Sequence, residues 1–463
     1  MNIENRLSTE DIVKAVSGML VNGDMGIRFK GISTDTRNIK PGYIFWALKG
    51  KNHDGHNFWK EAIEKGAKGL VISKFPEGFR LEELPKTISV IFVKDTLKAL
   101  GDLAQWWRER LSAKVIAITG SCGKTTTKEL AYSLLSAFFR TEKSPGNFNN
   151  LVGVPLSLLS VKKETEVVVL ELGTNQKGEI EKLTRIVKPD VAVITCIQPS
   201  HLEGLESFEG VLEEKISIFK NSPSHAVFIY NADQEPLRKK AEDFPNKKLC
   251  FGIKEDADVK GEEIKCKDFC VEGKVRVGEE VCNLKLNLTG KHNFYNVLCA
   301  LAIGRIFSFS LREMVEVLEK EELFQRMKVI KTENFIILDD TYNANPSSVL
   351  YALESLKDIS EEFGKKIVIL GDMKELGEYA ENFHREVGKK AGEVADAGFF
   401  IGEMAEFYAQ GFSISQKPCE TYKTVEEALT RLKLPFEKAV VLVKGSRALA
   451  MERIVEKLKE EPG

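Results

Sequence analysis

The sequence predicts an α/β protein of three domains, with boundaries at residues 1–110, 111–323 and 324–463. Three observations predict it. Short apolar, β-branched runs alternate with helical stretches along most of the chain, the pattern of parallel sheets covered by helices. A length of 463 residues matches about three domains of ordinary size. Polar clusters recur where the predicted strands end, and ligands of open α/β sheets gather at those ends.

The first domain reads as a small α/β unit. Ser8 and Asp11 have the spacing of a capping box ahead of a helix over 12–19, and strands are expected over 43–48, 70–73 and 89–93. Between them lies STDTRNIKPG, residues 33–42. Its Ser33, Thr34, Asp35, Thr36 and Arg37 crowd hydroxyls, a carboxylate and a guanidinium into one loop, which suits an anion site or, equally, a solvated turn. A helix over 95–111 carries Trp106 and Trp107, read as packing between domains rather than as a ligand platform.

The central domain opens on VIAITGSCGKTTT, residues 115–127. A buried strand runs into the turn Gly120, Ser121, Cys122, Gly123, and Lys124 opens a helix. Glycines let backbone N–H groups converge on an anion, the helix N-terminus adds its positive end, Lys124 adds a full charge, and the Thr125 hydroxyl suits a magnesium ion. This is a P-loop-like cradle for a nucleotide triphosphate, although two residues rather than four separate its glycines. Further strands are expected over 166–171, 191–195 and 226–230, and short β-like runs within 256–288 read as a peripheral insertion.

Glu171 closes one of these strands, His201 follows another, and Lys215 lies on the next helix. Taken alone, the first two are ordinary polar termini, and Lys215 beside Glu213 and Glu214 is a solvent-facing helix charge. Next to a phosphate turn, Glu171 and His201 become candidate partners of a metal ion, which needs hard ligands beyond Thr125 and phosphate. GKHNFYN then opens a helix with Asn293 and Asn296 on one face, one of them a possible cap.

The third domain repeats the alternation, with strands expected over 335–339, 367–371, 399–402 and 440–443. Its strand ends carry DDTYNANP (339–346), GDMKELG and KGSR (444–447), so polar groups again collect on one edge.

Composition narrows the function. Hydrophobic residues at 43% and charged residues at 29% describe a globular chain with a sizeable core. With 67 basic against 69 acidic residues the net charge is −2, which gives no electrostatic case for nucleic acid. No apolar run reaches the ~18 residues of a membrane span and the start of the chain lacks a signal-peptide pattern, so a cytoplasmic protein without a membrane partner is expected. The eight cysteines lack paired metal spacing and read as reduced thiols.

Motifs spread along the whole chain carry a family resemblance. TGSCGKTT, GNFNN (146–150), ELGTN (171–175), HLEG with Lys215 beyond it, GKHNFYN and DDTYNANP together resemble the Mur ligases of peptidoglycan synthesis. YNANP and KGSR are most similar to the last-acting member, which adds D-alanyl-D-alanine to UDP-N-acetylmuramoyl-tripeptide. Cys122, at a position more often Asn or Ser, and Gln176, where that member often has His, depart from the pattern.

The resemblance implies a central P-loop ATPase domain and a carboxy-terminal Rossmann-like domain that completes the ATP site. It implies an ATP-dependent amide ligase working as a monomer, in which ATP phosphorylates a carboxylate to an acyl phosphate that an amine then attacks. Lys124, Arg326 and two Mg2+ ions would offset the charge repulsion of that step, one ion on Thr125 and Glu171 and the other on His201 and a carbamate formed on Lys215. The nucleotide would lie on residues 120–126, including Thr126, with Asn293 and Asn296 at adenine and Asp340 at ribose. The loop 33–37 would hold the uridine diphosphate. Asn147, Asn149, Thr174 and Asn175 would orient the tripeptide, and Tyr342, Asn343 and Asn345 the dipeptide. The alternatives are another Mur-type ligase, a folylpolyglutamate-type ligase, which would lack the first domain and YNANP, or a P-loop NTPase without ligase activity, which would hydrolyse ATP without an amino-acid acceptor.

Overall fold

The computed structural model describes residues 1–50, 52–320 and 327–460, folded as three sheets with helices against them. The first sheet has the order Asn2–Ser8, Arg28–Ser33, Tyr43–Trp46, Gly69–Ile72, Ser89–Phe92, Met19–Asn22. The four inner strands are parallel and the two edges antiparallel. The capping box forms: Ser8 accepts from the Asp11 N–H while the Asp11 carboxylate accepts from the Ser8 N–H. The helix it starts, Thr9–Val16, ends earlier than its apolar spacing suggests, because Ser17 takes a left-handed conformation (φ 48°). Met19, expected within that helix, instead begins an edge strand. The strands Asn2–Ser8 and Arg28–Ser33 escape the sequence reading because charged residues interrupt their apolar positions, of which Ile3, Leu7, Phe29 and Ile32 are buried.

The central sheet has nine strands in the order Glu280–Leu286, Cys270–Val277, Val259–Lys267, Lys248–Gly252, Val227–Asn231, Val191–Ile194, Lys114–Thr119, Val167–Glu171, Thr141–Lys143. Lys114–Thr119 lies between Val191–Ile194 and Val167–Glu171, with chain continuing to both sides. This is a topological switch point, and the phosphate turn sits at the carboxyl end of that strand. The runs within 256–288 are not a separate insertion but an antiparallel meander that extends the same sheet. A hairpin tip of the meander reaches the third domain: Asp268 accepts from the Ser360 N–H at 2.9 Å and its hydroxyl at 2.7 Å, and Phe269 meets Phe363 edge-on.

The third sheet runs Lys328–Lys331, Phe335–Asp340, Ala439–Lys444, Lys365–Gly371, Ala397–Ile401, Cys419–Tyr422, parallel except at its first strand. One apolar core joins the first and central domains. Leu100, Leu103 and Trp107 of the helix Thr96–Arg108 pack with Val154, Leu158 and Leu183, and the Trp107 indole N–H donates to Val161 O at 3.1 Å. Trp106 and Trp107 thus serve interdomain packing, as expected.

Candidate active site

The phosphate turn has the backbone its glycines imply. Gly120 (φ 148°) and Gly123 (φ 80°) are in conformations that other residues rarely adopt, and a Cβ would come within 2.0 Å of Thr195 Oγ1 at the first and 2.2 Å of Asn296 Oδ1 at the second. The helix Lys124–Ser136 starts directly behind the turn, so its free N–H groups face the same point. Lys124 Nζ donates to Gly120 O at 2.7 Å, which places its charge over the turn.

Behind the turn, Thr125 Oγ1 donates to Glu171 Oε2 at 2.7 Å, and Asn149 Nδ2 donates to Glu171 Oε1 at 2.9 Å. A hydroxyl, a buried carboxylate and the GNFNN loop therefore converge. Lys128, which sequence reasoning passed over, holds that loop. Fully buried on the cradle helix, it donates to Ser144 O at 3.0 Å and Gly146 O at 3.2 Å.

Lys215 is not a solvent-facing helix charge. On the helix Phe208–Lys220 it is fully buried, and its Nζ has no hydrogen-bond partner among the described residues. Burial, reinforced by the nearby Lys124 charge, pulls its pKa down to about 7. Its neighbour Glu214 is also buried, and accepts from the N–H groups of Gly178 at 2.7 Å and Ile180 at 2.8 Å and from Thr174 Oγ1 at 3.2 Å. Glu214 thus fixes the segment carrying Thr174 and Asn175.

A cavity of about 450 Å³ opens over the turn between the central and third domains. Of the residues expected at the site, Ser121, Cys122, Gly123, Lys124, Thr126, Asn147, Asn149, Glu171, Thr174, Asn175, His201, Asn293, Asn296, Asp340, Tyr342, Asn343 and Asn345 line it. Thr125 and Lys215 lie behind its wall, and Gly120 forms the base of the turn. The loop 33–37 does not reach it: Arg37 is exposed and ion-paired with Asp35, which caps the short turn Thr36–Asn38. Arg326 lies outside the described residues.

Neither asparagine of GKHNFYN is a helix cap. Asn293 Nδ2 donates to Thr289 O at 2.8 Å, and Asn296 Nδ2 donates to Asn293 Oδ1 at 3.0 Å, so the two form one buried amide pair beside Gly123. Asn345 is a cap: its Oδ1 accepts from the Ser348 N–H at 2.9 Å at the start of the helix Pro346–Lys357. Its expected substrate role therefore competes with a structural one.

The third domain contributes groups the sequence reading placed only as motifs. Lys444 of KGSR, nearly fully buried, ion-pairs with Asp340 at 2.6 Å and donates to Asn343 O at 2.8 Å. Glu375 of GDMKELG bonds His201 Nδ1 at 2.5 Å. Burial pulls the His201 pKa down, while Glu375 pushes it up. Tyr351 stacks on His292 and accepts from Gln198 Nε2 at 2.9 Å. Only the folded arrangement, not spacing, puts these residues opposite the turn.

This geometry has counterparts in known proteins. Residues 28–108, 118–304 and 325–447 match the Mur ligase family catalytic domain, the Mur ligase middle domain and the Mur ligase glutamate ligase domain. The UDP-N-acetylmuramoyl-tripeptide--D-alanyl-D-alanine ligase of Bacillus subtilis is 34% identical over 98% of this chain and 99% of its own. A crystal structure of MurF from Acinetobacter baumannii superposes with a TM-score of 0.88 at 30% identity, covering 98% of this chain and 99% of its own. MurF from Thermotoga maritima in complex with ADP superposes at 0.80 with 29% identity, covering 93% and 97%.

Proposed function

The chain belongs to the Mur ligase family, and we propose that it is the ATP-dependent ligase that joins D-alanyl-D-alanine to UDP-N-acetylmuramoyl-tripeptide in peptidoglycan precursor synthesis. Lys215 is the observation that carries the chemistry. A buried amine without a partner is costly, and a pKa near 7 makes much of it neutral at physiological pH. A neutral amine attacks carbon dioxide, losing a proton and becoming an anionic carbamate that fills the orphaned position with oxygen donors.

That donor set fits two Mg2+ ions. Thr125 and Glu171, already paired, would hold one, and His201 with carbamylated Lys215 the other. Among the described residues no three His, Cys, Asp or Glu side chains gather to bind a metal unaided, so phosphate and carbamate oxygens are needed to complete each shell. Bound there, the ions offset the negative charge of the nucleotide phosphates and the substrate carboxylate.

The remaining roles belong to the chain's own groups. The turn's N–H groups and Lys124 hold the ATP phosphates and stabilise charge as the γ-phosphoryl moves to the tripeptide carboxylate, leaving ADP and an acyl phosphate. Attack by the dipeptide amine then expels phosphate. Asn293 and Asn296 hold adenine and Asp340 the ribose, so the ATP site spans residues 111–323 and 324–463. Asn147, Asn149, Thr174 and Asn175 orient the tripeptide, Tyr342 and Asn343 present the dipeptide, and Ser33 to Arg37 in residues 1–110 hold the uridine diphosphate. One chain supplies every role, which fits a monomer. Eight free thiols, and the absence among the described residues of a helix long and apolar enough to cross a membrane, fit a cytoplasmic enzyme.

Lys215→Ala tests the reading. It should nearly abolish ligation, and acetate should restore part of it by placing oxygens in the vacated space. Full activity without acetate, or rescue by an amine instead, would contradict it.

A further inference from the structure

Two thiols meet at the phosphate turn. Cys122 belongs to the turn and lines the cavity, and Cys196 follows the neighbouring strand Val191–Ile194. The Cys122 N–H donates to Cys196 Sγ at 3.3 Å, Cys196 Sγ lies 3.4 Å from Cys122 O, and the Cys122 thiol donates to Asn345 Oδ1 at 3.6 Å. Backbone ties hold the approach: the Ser121 N–H donates to Cys196 O at 2.8 Å, and Thr195 Oγ1 donates to Cys122 O at 2.5 Å. Both cysteines are free.

The surroundings separate Cys122 from the other cysteines, whereas its thiol neighbour and burial push Cys196 well above the ordinary thiol range. The neighbouring Cys196 thiol, with help from the Lys124 charge and from Asn345, draws the Cys122 thiol below its ordinary range. Burial pushes the thiols of Cys250, Cys266, Cys270, Cys282, Cys299 and Cys419 the other way. A nucleophilic sulfur facing the cavity with a second thiol behind it is the arrangement of an attacking and a resolving cysteine.

We propose that Cys122 and Cys196 are a reversible oxidation site that turns off nucleotide binding. A peroxide oxidises the Cys122 thiolate to a sulfenic acid and is itself reduced, leaving hydroxide. The Cys196 sulfur then attacks the sulfenic sulfur, and water leaves as the disulfide forms. In sum, two thiols lose two electrons and two protons, and the peroxide becomes two waters. The bridge requires the two Cβ atoms to stand about 3.8 Å apart. A bridge of that geometry ties the turn, whose N–H groups must converge on phosphate, covalently to the end of the neighbouring strand.

This inference rests on the turn being the ATP phosphate site, and the experiment separates the two claims. The reduced full-length protein is titrated with ATP by calorimetry, then exposed to hydrogen peroxide, alkylated, digested and mapped by mass spectrometry. The expected result is a peptide linking Cys122 to Cys196, a loss of ATP affinity of at least about tenfold, recovery with dithiothreitol, and slower oxidation when ATP is present. Cys196→Ser should form no link and accumulate a dimedone-reactive Cys122. Reduced protein that binds ATP but forms no such link, or forms it with ATP affinity unchanged, overturns the inference. Reduced protein that does not bind ATP overturns the reading of the turn, and this inference with it.

Discussion

His201 Nδ1 and Glu375 Oε2 lie 2.5 Å apart, joining the central and third domains at the mouth of the cavity. Both residues hold left-handed backbones, φ 52° and 65°, and the Glu203 N–H donates to Glu375 O alongside. Burial lowers the imidazole pKa and Glu375 raises it, so the two effects oppose. In Glu375→Gln the raising partner is gone, and His201 should titrate at lower pH than in the wild type when followed by NMR. An unchanged or higher midpoint would show that the pair does not form.

Lys215 sets a pH dependence of stability. Its folded pKa of about 7 lies below the ordinary 10.5, so between those values the unfolded chain binds a proton that the folded chain does not. Stability therefore rises with pH across that window, and the penalty of burial is fully present below it. In carbon dioxide-free buffer, Lys215→Met should be the more stable protein below about pH 7, by a few kcal/mol at ~1.4 kcal/mol per pH unit. The advantage should shrink toward pH 10.5 in urea denaturation. A difference independent of pH would contradict the buried amine.

Part of this site was legible without coordinates. The turn, with Gly120, Gly123 and Lys124, follows from local backbone rules, because only glycine accepts those conformations at so close an approach. The three-sheet α/β class follows from apolar runs. The edge strand Asn2–Ser8 does not, since an edge needs only a few buried positions. Nor do Glu375 and Lys444, whose roles depend on which strand ends face the turn across two domains. Lys215 shows the limit from the other side: its sequence neighbours suggest a surface charge, and only the packed helix reveals that it is buried.

Asp340 and Lys444 form a pair of which the lysine is nearly fully buried. Asp340→Asn leaves that ammonium without its counter-charge, although Asn343 O still accepts from it. The cost should be about 3 kcal/mol in the stability of the third domain. A loss under about 0.5 kcal/mol, the size seen for exposed pairs, would show that solvent reaches the pair.

Lys124 stands over the turn, which in the proposed function is where charge develops as phosphate transfers. Lys124→Ala should lower kcat by about 10²-fold or more. Near-normal turnover would remove the turn from the chemistry.

The central claim is that ATP is split only to join two substrates. Phosphate release should be measured with ATP and magnesium in the presence of UDP-N-acetylmuramoyl-tripeptide alone, D-alanyl-D-alanine alone, and both together. Sustained release only with both, at one phosphate per amide formed, is the predicted result. Equal release with neither or either alone, or none with both, would contradict it.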